Sequence, residues 1–128
     1  MLVAIDSGNT NVVFAVYDGE TLRAKWRASS DAKRTADEYA VWLAQLMALQ
    51  NLKPADVTGA IIANVVPASA YNLNTLCSEF FKVKPLVIGE PDVNIGIEVR
   101  MDHPANVGAD RLVNALAAHR AYGGPLIV

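Results

Sequence analysis

Short apolar runs separated by polar clusters fill the first part of the chain, and helical spacing takes over after about residue 35. Leu2 to Ile5 is an apolar run suited to a buried strand, and it ends in the turn-forming cluster Asp6-Ser7-Gly8-Asn9-Thr10-Asn11. Val12 to Tyr17 is a second apolar strand, followed by the hairpin signal Asp18-Gly19. From Leu22 to Ala28 the pattern alternates: Leu22, Ala24, Trp26 and Ala28 share one side, and Arg23, Lys25 and Arg27 the other. That is a half-exposed strand, so the opening segment predicts a three-stranded antiparallel meander.

Ser29 to Arg34 is polar and loop-like. Thr35 with Glu38 predicts a capping box, and Tyr39, Leu43, Leu46, Met47 and Gln50 then recur at helical spacing up to about Asn51, before Pro54. Gly59 to Val66, apolar but for Asn64, predicts a strand buried on both faces. Pro67 opens a second helix with Leu73, Leu76, Cys77 and Phe80 on one stripe, and Pro85 to Ile88 predicts a short strand. An irregular stretch runs from Gly89 to Pro104. Gly108 opens a third helix with Leu112, Val113, Leu116, Ala117 and Arg120 inward, ended by Gly123-Gly124. Pro125 to Val128 predicts the start of another buried strand. The order βββαβαβα implies an α/β fold, a mixed sheet flanked by helices. The expected division is one domain over residues 1–124, with 125–128 as the first strand of a second.

Composition narrows the function classes. At 128 residues, 52% hydrophobic and 19% charged, this is ordinary globular material. A net charge of −2 and a pI near 5.6, with scattered Lys and Arg, argue against nucleic acid as a partner. No run approaches a membrane span, and the start Met-Leu-Val-Ala-Ile-Asp lacks the basic region of a signal peptide, so a cytoplasmic protein is expected. The single cysteine, Cys77, sits among Leu76, Phe80 and Phe81, which reads as a buried, inert thiol.

Candidate chemistry sits in two segments. In Asp6-Ser7-Gly8-Asn9-Thr10-Asn11, Gly8 lets backbone approach a ligand closely, the following residues add donors, and a tight turn of N–H groups makes an anion-binding concavity. Asp6, ending an apolar strand, can hold Mg²⁺ through water. The plain alternative, a hairpin turn, uses the same residue types. The second segment, Val107-Gly108-Ala109-Asp110-Arg111-Leu112-Val113-Asn114-Ala115, starts a helix with opposite charges in its first turn. The helix dipole favours Asp110 there and not Arg111, whose guanidinium fork suits a carboxylate.

These two motifs in this order, with Arg34-Thr35-Ala36-Asp37-Glu38-Tyr39 and the Ile61 to Pro67 strand ending in Val-Val-Pro, resemble the pattern of type III pantothenate kinases over nearly the whole chain. The resemblance implies the N-terminal half of such an enzyme, with a ribonuclease H-like (actin-like ATPase) fold from the actin and sugar kinase superfamily. It implies ATP-dependent phosphorylation of pantothenate to 4'-phosphopantothenate, the first step of coenzyme A biosynthesis. ATP phosphates are then expected on Asp6, Ser7, Gly8, Asn9, Thr10, Asn11, Val12 and Val13. Pantothenate is expected on Gly108, Ala109, Asp110 and Arg111, with Asp110 as general base. Mg²⁺ near Asp6, a monovalent cation (K⁺ or NH₄⁺) and a homodimer are implied as well. Two positions depart from the family: Ser7 replaces a usually apolar residue, and Met101 stands where many members place an aromatic that contacts pantothenate. The family's second phosphate loop is not in this chain, so little kinase activity is expected of residues 1–128 alone.

Three rivals compete with this reading. A non-catalytic regulator of gene expression has no need of Asp110 and Arg111. A ribonuclease H-like nuclease needs further carboxylates, for which only Glu98 and Asp102 could be nominated. Another kinase of the superfamily would share the first loop and not the Gly108–Arg111 segment. His103 and His119 have no second ligand at suitable spacing, and Trp26 and Trp42 read as packing aromatics.

Overall fold

The computed structural model describes residues 1–128. Strands β1 (Leu2–Ser7), β2 (Asn11–Asp18) and β3 (Thr21–Ser29) form the expected meander. Strand β4 (Gly59–Asn64) runs parallel to β1 on its other side, and the short β5 (Leu86–Val87) runs parallel to β4. The sheet order is β3-β2-β1-β4-β5, a mixed sheet in the βββαβαβα order expected from the sequence.

β1 outruns its apolar stretch. Asp6 and Ser7 stay in the ladder because both have partners on either side: Asp6 faces Val13 and Ala63, and Ser7 faces Val12 and Asn64. The loop between β1 and β2 therefore shrinks to Gly8, Asn9 and Thr10. The register of β2 against β3 slips between Val16 and Tyr17, which pairs Tyr17 with Leu22. This bulge turns Leu22 away from the face it was expected to share with Ala24, and Leu22 is exposed.

Helix α1 (Ala36–Leu49) begins with the predicted capping box: Glu38 N–H donates to Thr35 Oγ1, and Thr35 N–H donates to Glu38 Oε2 at 2.8 Å. It ends earlier than expected, because Asn51 takes a left-handed conformation at φ 55°. Its inward stripe is Tyr39, Leu43 and Met47; Gln50 points to solvent. β4 stops at Asn64, whose side-chain oxygen accepts the Val66 N–H and whose amide donates to Val66 O, bending the chain out of the sheet. A single 3₁₀ turn at Pro67–Ser69 leads into helix α2 (Ala70–Thr75), which widens to a π-turn over Leu76–Phe80. Helix α3 (Ala109–Tyr122) runs from Gly108 to Gly123 as its caps.

The two faces of the sheet are packed differently. Val3, Ile5, Val12, Phe14, Val16, Ala60 and Ile62 meet the inward residues of α1, α2 and the π-turn in one core. Each fully buried side chain of this size contributes roughly 1.5–3 kcal/mol. The opposite face carries a smaller cluster, Ala63, Ile88 and Ala109, with Leu112 and Val113 of α3 against it. Cys77 lies in the main core, and burial pushes its thiol up to about 12, as expected of an inert group.

Leu126, Ile127 and Val128 do not form the predicted strand. They are exposed and unpaired, since a strand needs a neighbour to share its ladder and none lies beside them.

Candidate active site

β1 and β4 are parallel, and both end at one edge of the sheet, where Ser7 faces Asn64. The carboxyl ends of parallel strands are where open α/β sheets bind ligands. Alternation along β1 puts Val3, Ile5 and Ser7 on the packed face and Ala4 and Asp6 on the other. The loop Gly8–Thr10 closes above this edge through Gly8 N–H to Asn11 O at 3.0 Å. A Cβ at Gly8 would sit 3.3 Å from that same oxygen, so the tight closure favours glycine. The N–H groups of Asn9 and Thr10 have no acceptor within the chain, which leaves them available to an anion.

The start of α3 comes to the same edge. A Cβ at Gly108 would stand 3.5 Å from Val65, just beyond β4, and 2.6 Å from Asp110 Oδ1. The carboxylate of Asp110 therefore folds back over Gly108 into space that only glycine leaves free. Its Oδ1 accepts the Arg111 N–H at 2.8 Å. Asp6 and Asp110, far apart in sequence, are close enough to interact. Burial first, and the Asp110 charge second, raise the Asp6 carboxyl above the ordinary aspartate value. Neither carboxylate has an ion-pair partner. Two uncompensated carboxylates beside free amides fit a divalent cation that keeps most of its water.

Arg111 is exposed, and its guanidinium is not in a salt bridge. It lines a cavity of about 600 Å³ together with Glu98, Arg100, Met101, Leu112 and Asn114. Arg100 is paired with Glu98 at 2.9 Å, so Arg111 is the cation left for an incoming anion. Ala109 is buried and holds the helix start against Ala63 and Ile88.

Several predicted site residues point elsewhere. The Ser7 hydroxyl is buried and meets Ser69 Oγ at 3.2 Å; Ser69 in turn donates to Val66 O at 2.8 Å. Ser7 can meet a ligand only through its backbone. Val12 is sealed in the main core, and Val13 lies under Asp6 on the other face. Met101, not expected in the site, lines the Arg111 cavity and is 62% exposed. Ser30, also unexpected, donates from Oγ to Gly8 O and from N–H to Thr10 O at 2.9 Å. Its only sequence signal is a hydroxyl directly after the strand that pairs with the start of β2. Glu98 and Asp102 join no cluster of three or more ligating side chains. No helix is long and apolar enough to cross a membrane.

Comparison with known proteins adds an independent line. The family model described as "Type III pantothenate kinase" matches residues 2–128. Proteins of that description are similar over the full length of this chain: 60% identical in Paramagnetospirillum magneticum, 59% in Rhodospirillum rubrum and 56% in Rhodospirillum centenum. The match covers 49%, 50% and 49% of those relatives, so the chain spans about half their length. Among solved structures, a putative N-acetylglucosamine kinase from Porphyromonas gingivalis overlaps 70% of this chain and 35% of its own, at a TM-score of 0.48 and 16% identity.

Proposed function

The chain belongs to the type III pantothenate kinase family, and from that premise we propose that it forms the N-terminal half of an enzyme that phosphorylates pantothenate with ATP. One observation carries the reading: the loop after β1 and the start of α3 meet at one sheet edge, with Asp110 near enough to act on Asp6. A plain hairpin turn or a surface helix start gives no reason for that meeting.

In this reading the free amides of Asn9 and Thr10 hold ATP phosphate oxygens. Asp6 would hold Mg²⁺, and the cation would supply charge neutralisation on the phosphates. Arg111 takes the pantothenate carboxylate in the cavity it shares with Met101. Asp110 orients the pantothenate hydroxyl and accepts its proton, while the hydroxyl oxygen bonds to the γ-phosphorus and the bond to ADP breaks. Phosphoryl transfer has a loose transition state, so this positioning and charge balance are the greater part of catalysis. A monovalent cation, a homodimer and a cytoplasmic address belong to the same proposal, as does a second domain that begins at about residue 125. No residue of this chain is assigned to the monovalent cation. The 128 residues alone are expected to be silent, since they span about half the length of the relatives they match.

The test is pantothenate-dependent ADP release with Mg²⁺ and K⁺, run on this chain and on the longest chain its gene encodes. Activity only in the longer chain, lost in Asp110→Asn, supports the reading. A folded longer chain with no pantothenate-dependent turnover sinks it and favours a regulatory role.

A further inference from the structure

Backbone amides can cradle phosphate only if something fixes which way each peptide plane faces. In a trans peptide the C=O and the next N–H point in opposite directions. The Gly8–Asn9 peptide is trans. Its carbonyl accepts the Ser30 hydroxyl, so its N–H, that of Asn9, is turned away from Ser30. Ser30 also holds the far side of the loop, because its own N–H donates to Thr10 O at 2.9 Å. One residue thus grips the carbonyls at both ends of the Gly8–Thr10 loop, on the side away from the free Asn9 amide.

Ser30 is itself braced. The preceding carbonyl, Ser29 O, accepts from Arg34 Nη1 at 3.0 Å, and Arg34 N–H donates to Asp31 O at 3.1 Å. The Arg34 guanidinium lies 5.4 Å from the centre of the Tyr39 ring, which is buried on α1. The line therefore runs from the main core through Tyr39, Arg34 and Ser29 to Ser30, and from there to the loop. This also gives a task to the Arg34–Tyr39 stretch, for which the phosphoryl-transfer chemistry has no use.

We propose that Ser30 is a positioning residue for nucleotide binding: it orients the Asn9 amide toward the ATP phosphates without touching them. The proposal rests on the kinase reading for the identity of the ligand. Ser7 and Ser69 fix the inner side of the same strand end, but they bond one another and leave the loop carbonyls alone.

The test uses the longest chain the gene encodes, with Ser30→Ala and Ser30→Thr. Ser30→Ala is expected to raise KM for MgATP about tenfold, the effect of one lost hydrogen bond to a charged ligand's cradle. KM for pantothenate and the melting temperature should stay near wild type. Ser30→Thr keeps the hydroxyl and should restore the ATP value to within about twofold. An unchanged KM for MgATP in Ser30→Ala, or an equal rise for both substrates, overturns the proposal. Equilibrium titration of MgATP into the same variants separates the two ideas. If the wild type binds MgATP but ignores pantothenate, the kinase reading fails, and the Ser30 proposal is still decided by the affinity ratio.

Discussion

The two faces of the sheet use the same strands for different ends. On one face Ile5, Val12, Phe14, Val16 and Ile62 are sealed by α1 and α2, with a tilted Phe14–Tyr39 pair at 5.4 Å and a Phe14–Trp42 edge contact at 5.7 Å. On the other face, Ala4, Val13, Ala15, Tyr17, Ile61 and Val113 border an apolar cavity of about 190 Å³ whose one charged lining residue is Asp6. Alternation along a strand makes this division possible, since neighbours in sequence face opposite ways. The packed face provides stability. The looser face carries a carboxylate, Asp6, that has no ion-pair partner in the chain. Candidate active-site groups are drawn from the looser side and from the strand ends.

The largest expected effect tests the looser side. Asp110→Asn in the longest natural chain should lower kcat about 10²- to 10⁴-fold. Its stability should stay within about 0.5 kcal/mol, measured by urea unfolding. Comparable loss in both would erase the division of labour. Next comes the packing contrast between adjacent residues of β2. Phe14→Ala should cost about 3–5 kcal/mol and Val13→Ala far less, because only the first opens a cavity in the sealed core. Equal costs would mean both faces are packed alike.

A smaller effect belongs to the helix that closes the packed face. Thr35→Ala removes the N-cap of α1 and should cost about 1 kcal/mol. The Glu38 carboxyl is held below its ordinary value by the Thr35 backbone N–H first and the Thr35 hydroxyl second. Its contribution is complete above the ordinary glutamate pKa and is lost as pH falls through the lowered folded value. The smallest effect has the opposite sign. Asp6 is raised on folding, so the folded state binds its proton more tightly than the unfolded one. The resulting penalty is absent below the ordinary aspartate pKa and complete above the raised one. Asp6→Asn should therefore raise the melting temperature slightly at pH 7, leave it unchanged in acid, and abolish turnover. A melting temperature that falls at pH 7 would show that Asp6 is a structural group.

Much of this was legible in the residues. Turn signals and alternation located the meander, and Thr35 with Glu38 located the start of α1 because capping is local chemistry. The segments Asp6–Asn11 and Gly108–Arg111 stood out by composition and spacing. The roles of Ser7 and Ser30 were not legible. Ser7 looked like a loop donor, but pairing on both sides of β1 carries it into the sheet and turns its hydroxyl to Ser69. Ser30 looked like linker, because its partners Gly8 and Thr10 are reached only through the β2–β3 pairing.

The order of elements up to the third helix and the chemical character of the two motifs follow from sequence alone, because periodicity and capping act over a few residues. Which edge the motifs share, and that Asp110 comes close enough to act on Asp6, were decided only by tertiary structure. Those facts depend on how β4 and α3 pack beside β1, and contacts between residues so far apart leave no local pattern to read.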